Sequence, residues 1–80
     1  MPKQTLKQRR ALMDAILDFI NEFWYEEGSG PLVSEIQLGV RVSLHKVNVS
    51  LRILEERGEI IWDHDIHRSI RAANPDPKEG

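Results

Sequence analysis

Apolar positions recur at helical spacing through the first third of the chain and predict one long amphipathic helix. Thr5 is a suitable N-cap, and the pattern continues to about Glu26. The apolar face is broad, and its members are Leu12, Met13, Ile16, Phe19, Ile20, Phe23 and Trp24. We expect most of this face to lie in the core, with Trp24 and Tyr25 as candidates for a dimer contact.

Acidic residues recur at every fourth position on the opposite side of that helix. They are Asp14, Asp18, Glu22 and Glu26. Charged stripes on helices usually face water, so we interpret this stripe as a solvated face; an acidic docking surface is the alternative.

A second, shorter helix is predicted over about Val33 to Val40, after a cluster of glycine, serine and proline that ends the first helix. Its start is open. Ser34 followed by Gln37 has the spacing of a capping box, whereas Pro31 favours an earlier start.

The third predicted helix lies between Ser43 and Gly58 and has both a start and a stop signal. Ser43 is a good N-cap, because its hydroxyl accepts from an unpaired amide of the first turn. Gly58 readily takes the left-handed conformation that ends a helix. Val47, Leu51 and Leu54 form one apolar stripe that we expect to face the core.

The residues after the third helix predict a β-hairpin. Residues 60–62 are β-branched or aromatic, residues 63–67 are polar and turn-like, and residues 68–72 alternate as a returning strand does. Residues 74–80 contain two prolines and no apolar side chain, so we expect a flexible tail or linker there. A single folded domain over residues 5–73 follows.

Length and composition narrow the class of protein. Eighty residues make one small domain, and the absence of cysteine excludes disulfides and thiolate metal sites. No stretch has the apolar core of a signal peptide or the roughly 18 apolar residues of a membrane helix. We therefore expect a cytoplasmic protein without membrane association.

The charge distribution matters more than the total charge. The net charge of −2 argues against nucleic-acid binding. However, the span from Ile36 to Leu54 contains no acidic residue, and it includes Arg41, Lys46 and Arg52. A polarised surface with a positive face is therefore possible.

The order of elements is that of a winged helix-turn-helix, which is mainly α with a small β-hairpin. The apolar spacing from Glu35 to Ile60 also matches the pattern of winged-helix regulators without a gap. We expect Ile36, Val40 and Val42 to separate the second and third helices where they cross.

Further features are more specific. They are the long first helix, Pro31 leading into Ser34-Glu35-Ile36, the ending Glu56-Arg57-Gly58-Glu59-Ile60, and Arg68-Ser69-Ile70-Arg71. On these features the chain resembles, over about residues 5–73, the DNA-binding domain of the LexA repressor family. The resemblance implies that the third helix (about 43–57) enters the major groove of double-stranded DNA. It also implies that a hairpin wing (about 59–73) contacts the backbone or an adjacent groove.

The same resemblance bears on assembly and chemistry. Members of that family pair as homodimers on palindromic half-sites, usually through a C-terminal protease domain. Because this sequence ends at Gly80, the resemblance supports no self-cleavage and no protease chemistry. The chain shows no nucleophile motif, glycine-rich phosphate loop or paired-carboxylate pocket, so we expect no other catalysis and no cofactor.

The chain departs from the family pattern at several positions. Arg41 stands where the turn usually has glycine, which predicts a positive φ there. Gln37 stands where a small residue usually packs, and Leu32 replaces the usual capping Ser or Thr. The wing tip carries Asp63 and Asp65, which repel phosphate unless they are neutralised.

The outer face of the third helix carries side chains suited to base recognition. Asn48 is suited to reading adenine, and Lys46 and Arg52 to reading guanine. His45 lies in the first turns, within reach of a base or phosphate, and capping residues such as Ser43 often touch phosphate as well. On the wing, Arg68 and Arg71 are candidates for backbone contact. The predicted DNA-binding residues are thus Ser43, His45, Lys46, Asn48, Arg52, Arg68 and Arg71.

Some alternatives remain open at this point. Arg71 is also placed to pair with Asp63 across the hairpin. His64 and His67 make a pH-sensitive wing conceivable, since their protonation would offset the wing-tip acids. A metal site is disfavoured there, because the two histidines lie in a turn and no cysteine completes a ligand set. Negative net charge, the acidic wing tip and the aromatic end of the first helix favour a competing function, a winged-helix module that docks a protein partner.

Overall fold

The computed structural model describes residues 6–74 and contains three helices followed by an antiparallel hairpin. The elements are α1 (Leu6–Glu27), α2 (Val33–Val40), α3 (Leu44–Glu56), β1 (Ile60–Ile61) and β2 (Arg71–Ala72). This confirms the predicted fold class, mainly α with a small hairpin. Thr5 and the predicted tail beyond Asn74 lie outside the described residues. Within residues 6–74, no helix is long and apolar enough to cross a membrane.

Within residues 6–74, the main hydrophobic cluster consists of nine buried side chains, and all three helices and the wing contribute to it. These side chains are Met13, Ile16, Ile20, Ile36, Val47, Leu51, Leu54, Ile60 and Ile70. Burial of a whole aliphatic side chain stabilises a fold by about 1.5–3 kcal/mol. The predicted stripe on α3 is confirmed, and it seats this helix on the other two.

Both ends of α3 have the local structure that the sequence predicts. The Ser43 hydroxyl accepts from the amide of Lys46 at 3.2 Å, and Gly58 takes φ +75° just beyond the helix. Arg41, at the end of α2, has φ +63°. The positive φ predicted for this non-glycine residue is therefore confirmed.

Of the two starts left open by the sequence, the Ser34–Gln37 capping box is wrong, because the N-cap of α2 lies two residues earlier. Leu32 is the N-cap, with extended backbone, which places Glu35 rather than Gln37 at the third helical position. The Glu35 carboxylate accepts from the amide of Leu32 at 2.7 Å. The start is therefore closer to the one that Pro31 favoured.

The strands of the wing are shorter than predicted. Ile60 pairs with Ala72 and Ile61 with Arg71, and turns occupy the chain between them. The Asp63 carboxylate accepts from the amide of Asp65 at 3.0 Å, and the Asp63 carbonyl accepts from the hydroxyl of Ser69 at 2.7 Å. The Ser69 hydroxyl thus satisfies the Asp63 carbonyl, which a longer ladder would have paired, and the Asp65 amide is satisfied within the turn.

Two aromatic residues of α1 contact the rest of the fold. The indole Nε1 of Trp24 donates to the carbonyl of Ile70 at 2.6 Å, so Trp24 holds the wing. This leaves Tyr25, 91% exposed, as the outward-facing member of the pair predicted for a dimer contact. The ring of Phe19 on α1 occupies the space that a Cβ at position 39 would need. Gly39 therefore allows α1 and α2 to approach closely.

Candidate nucleic-acid interface

Helix α3 presents a solvent-exposed face opposite its buried stripe. Successive helical residues are rotated by about 100°, which turns His45, Asn48, Val49 and Arg52 outward, and all four are exposed. Lys46 lies at one flank of this face and is exposed as well. We call these five residues the outer face of α3.

The polar side chains of the outer face are available to a partner. Within residues 6–74, the side chains of His45, Lys46, Asn48 and Arg52 form no hydrogen bond and no ion pair. Three of the four are cationic or become so on protonation, and Asn48 carries both a donor and an acceptor. This face therefore suits a surface rich in acceptors.

Ser43 has a defined structural role at the start of this helix. Its hydroxyl oxygen accepts from the amide of Lys46, and its own proton remains available to a second partner. The first turn of α3 contains no acidic side chain. The N-terminal end of the helix therefore carries the partial positive charge of its dipole without a neighbouring carboxylate.

Arg68 braces the wing against the helices. Its two Nη atoms donate to the two carboxylate oxygens of Glu35 at 3.0 and 3.2 Å. Nη1 also donates to the carbonyl of Gly30 at 3.2 Å, and the guanidinium lies 5.8 Å from the ring centre of Phe23. The bonds from Arg68 and from the amide of Leu32 lower the pKa of Glu35. A DNA contact by Arg68 would require this brace to open.

Arg71 is the more accessible of the two wing arginines. It lies on β2 opposite Ile61 and is exposed. The ion pair with Asp63 that the sequence left open is absent from the part of the chain that is described, and the Asp63 carboxylate instead accepts from Asp65.

The wing tip connects to α3 through a histidine. His64 Nε2 lies 3.0 Å from a carboxylate oxygen of Glu55, and its ring stacks on Trp62 with centroids 4.0 Å apart. The His64 ring is therefore directed at Glu55 on α3 rather than at Asp63 or Asp65. No group of three or more potential metal-binding side chains occurs in residues 6–74.

A second arginine ties α1 to the base of the wing. Arg10 donates to the carboxylate of Glu59 at 2.9 Å and to that of Asp14 at 2.8 Å. The bonds from Arg10 lower the pKa of Glu59. Neither this contact nor the Arg68–Glu35 brace carried a sequence signal, because each joins residues more than thirty positions apart.

Val49 is the residue of the outer face that the apolar pattern did not single out. It is 42% exposed, although valine is usually counted toward a core. Helical geometry could have predicted this exposure, because Val49 lies two residues, or about 200° around the helix, from the buried Val47.

The three helices, the turn and the hairpin together define a winged helix-turn-helix domain. No protein-family model matches the chain. The chain is similar to the LexA repressor of Roseiflexus sp. (strain RS-1), with 43% identity over 63 residues, which are 78% of this chain. The match covers 29% of the length of that repressor. This likeness supports the resemblance to a LexA-like DNA-binding domain.

Proposed function

We propose that this domain binds double-stranded DNA sequence-specifically, with α3 in the major groove, as the DNA-binding part of a transcriptional repressor. The observation that carries the proposal is the outer face of α3, whose polar side chains are exposed and unpaired within residues 6–74. The likeness to a LexA repressor supports it. The role is one of binding, without catalysis or a cofactor.

Each polar residue of the outer face has a role in this proposal. Asn48 reads adenine by its amide, and Arg52 and Lys46 read guanine, because these pairings match the hydrogen-bonding edges of the bases. His45 contacts a base or a phosphate near the start of the helix. Ser43 donates its hydroxyl proton to a phosphate while it caps α3.

The wing supplies backbone contacts in the same proposal. Arg71 is exposed and contacts phosphate directly, whereas Arg68 does so only when its brace to Glu35 opens. Two copies of the domain bind the two halves of a palindromic site as a homodimer. Half-site spacing then reflects the two-fold symmetry of the pair.

The test is selection of bound sequences from a random duplex library, followed by anisotropy titrations at several salt concentrations. Affinity should fall linearly on logarithmic axes as salt rises, because phosphate binding releases counterions. Lys46→Ala should weaken binding, and Asn48→Ala should relax the preference at one base position. Arg9→Ala, which removes an exposed charge from α1, is the matched control and should bind normally. Failure to bind any duplex at low salt would refute the proposal.

A second candidate function is docking of a protein partner by the same scaffold. It is favoured by the carboxylates of Asp63 and Asp65, which form no ion pair within residues 6–74. Leu38, 76% exposed on α2, adds apolar surface for such a contact. This candidate predicts that the duplex library yields no enriched sequence.

A further inference from the structure

Val49 occupies an unusual position for a β-branched residue. It lies on the exposed side of α3, one turn after His45 and three residues before Arg52, with the buried stripe on the other side of the helix. Valine forms helix less readily than alanine or most long polar residues, so local helix stability does not favour it there. Its two methyl groups have no hydrogen-bonding capacity.

The surroundings of Val49 restrict the surface that can cover it. From Leu44 to Leu54 the helix contains no acidic residue, and the nearby side chains are mostly hydrogen-bond donors. A complementary surface therefore presents acceptors around a small apolar group. In the major groove, an A·T pair offers this combination, because the C5-methyl group of thymine lies beside its O4 acceptor and N7 of adenine is a second acceptor at the other end of the pair.

The lengths of the side chains fit the same surface. A helix of about 10–12 Å diameter nearly fills a major groove of about 12 Å width, so residues at the middle of its outer face lie closest to the base edges. Val49 is short and occupies that middle, whereas Lys46 and Arg52 are long enough to reach sideways. A long side chain at position 49 would hold the helix away from the bases.

We propose that Val49 packs against the C5-methyl group of a thymine and so contributes to the choice of DNA sequence. This inference rests on the proposed DNA-binding function and makes it more specific. It assigns selectivity to a residue that forms no hydrogen bond with the base, and it predicts a thymine at one position of each half-site.

The experiment replaces thymine with deoxyuridine, which lacks only the C5-methyl group. The selected duplex is synthesised with one such replacement at a time, and dissociation constants are measured by anisotropy with the full chain. At one thymine of each half-site, the wild type should bind about fourfold more weakly, the effect of one methyl group lost from an apolar contact. Val49→Ala should bind the two duplexes equally at that position.

Matched variants separate this contact from a general effect. Leu6→Ala also truncates an exposed large side chain, on α1, and should keep the wild-type sensitivity to deoxyuridine. Val49→Ala should not lower the thermal midpoint, since residue 49 lies outside the core and alanine forms helix more readily than valine. Val49→Thr, which has nearly the same shape and one methyl group, should keep part of the sensitivity.

Failure of this inference is distinguishable from failure of the proposed function. If the wild type binds its selected duplex but tolerates every deoxyuridine replacement, DNA binding stands and the Val49 contact is refuted. Equal sensitivity of the wild type and Val49→Ala at the same thymine also refutes it. If no duplex is bound, both proposals are wrong.

Discussion

Arg41 and Arg57 each end a helix, but their backbone conformations differ, so replacement by glycine should affect stability differently at the two positions. Arg41 ends α2 at φ +63°, and Arg57 ends α3 at φ −83°. A side chain with a Cβ is disfavoured in the left-handed region, whereas glycine is not. Glycine also increases the conformational entropy of the unfolded chain, wherever it stands.

We therefore predict opposite signs for glycine at these two positions. Arg41→Gly should raise the free energy of unfolding by about 0.5 kcal/mol, because relief of the left-handed conformation exceeds the entropic cost. Arg57→Gly should lower it by about 0.5–1 kcal/mol, since only the cost remains. Urea unfolding of both variants tests this, and a change of the same sign in both would contradict it.

Gly30 illustrates a different requirement for glycine, a close approach of two backbone segments. A Cβ at this position would meet the carbonyl oxygens of Ile70 and Arg68, and the Gly30 amide donates to the Arg68 carbonyl at 3.0 Å. Because the obstacle is backbone, no side-chain rotation relieves it.

Gly30→Ala should accordingly lower the free energy of unfolding by about 2–3 kcal/mol, the upper range for overpacking. Ser29→Ala, one position earlier, is the control and should change it by less than about 0.5 kcal/mol. Thermal or urea unfolding measures both. A Gly30→Ala protein as stable as the control would mean that the wing moves freely relative to the turn before α2.

At the scale of elements, the wing depends on the helices more than on its own strands. Its two strands contribute two residues each, and a two-stranded hairpin alone is at best marginally stable. The indole of Trp24 donates to the carbonyl of Ile70. The Glu35 carboxylate accepts from Arg68, and the Glu59 carboxylate accepts from Arg10. The wing is therefore positioned by contacts with α1 and α2.

Removing one of these contacts should loosen the wing locally. Glu35→Gln weakens the ion pair with Arg68, so we predict faster hydrogen exchange at the amide of Gly30, whose acceptor is the Arg68 carbonyl. Glu56→Gln removes an exposed carboxylate from α3 and is the control. The prediction is wrong if the two variants exchange equally at Gly30.

The same contacts explain what the sequence predicted well and what it did not. The cap of α3 joins Ser43 to Lys46, three residues apart, and periodicity alone placed Val47 in the core. The Arg68–Glu35 pair joins residues 33 positions apart, so no local sequence pattern predicts it. From the sequence, Arg68 is therefore expected only to contact the DNA backbone. The DNA contacts themselves stay predictions, since exposure on α3 shows availability and not a partner.

For the whole molecule, the negative net charge leaves the span of α3 from Leu44 to Leu54 without a carboxylate of its own. Glu35, Glu55 and Glu59 each face a partner, which is Arg68, His64 and Arg10 respectively. The pairs of Glu35 and Glu59 bridge the helices and the wing. Their protonation therefore affects the assembly of the entire domain rather than one surface.

This arrangement predicts loss of stability in acid. Arginine contacts lower the pKa of Glu35 and of Glu59 below the ordinary value of 4.5. At pH values between the pKa in the folded protein and the ordinary pKa, the unfolded chain binds more protons than the folded one. The free energy of unfolding therefore rises with pH in this range. The stabilisation is thus fully present above about pH 5.5 and is lost as pH falls through 4.5 and below.

Urea unfolding at a series of pH values measures this dependence, and substitution at Arg10 assigns it. Arg10→Gln removes the main cause of the lowered pKa of Glu59, so stability should fall near pH 7 and decline less steeply in acid. Arg9→Gln removes the neighbouring exposed charge and should keep the wild-type profile. If Arg10→Gln also kept the wild-type steepness, the acid sensitivity would arise outside the Arg10–Glu59 pair.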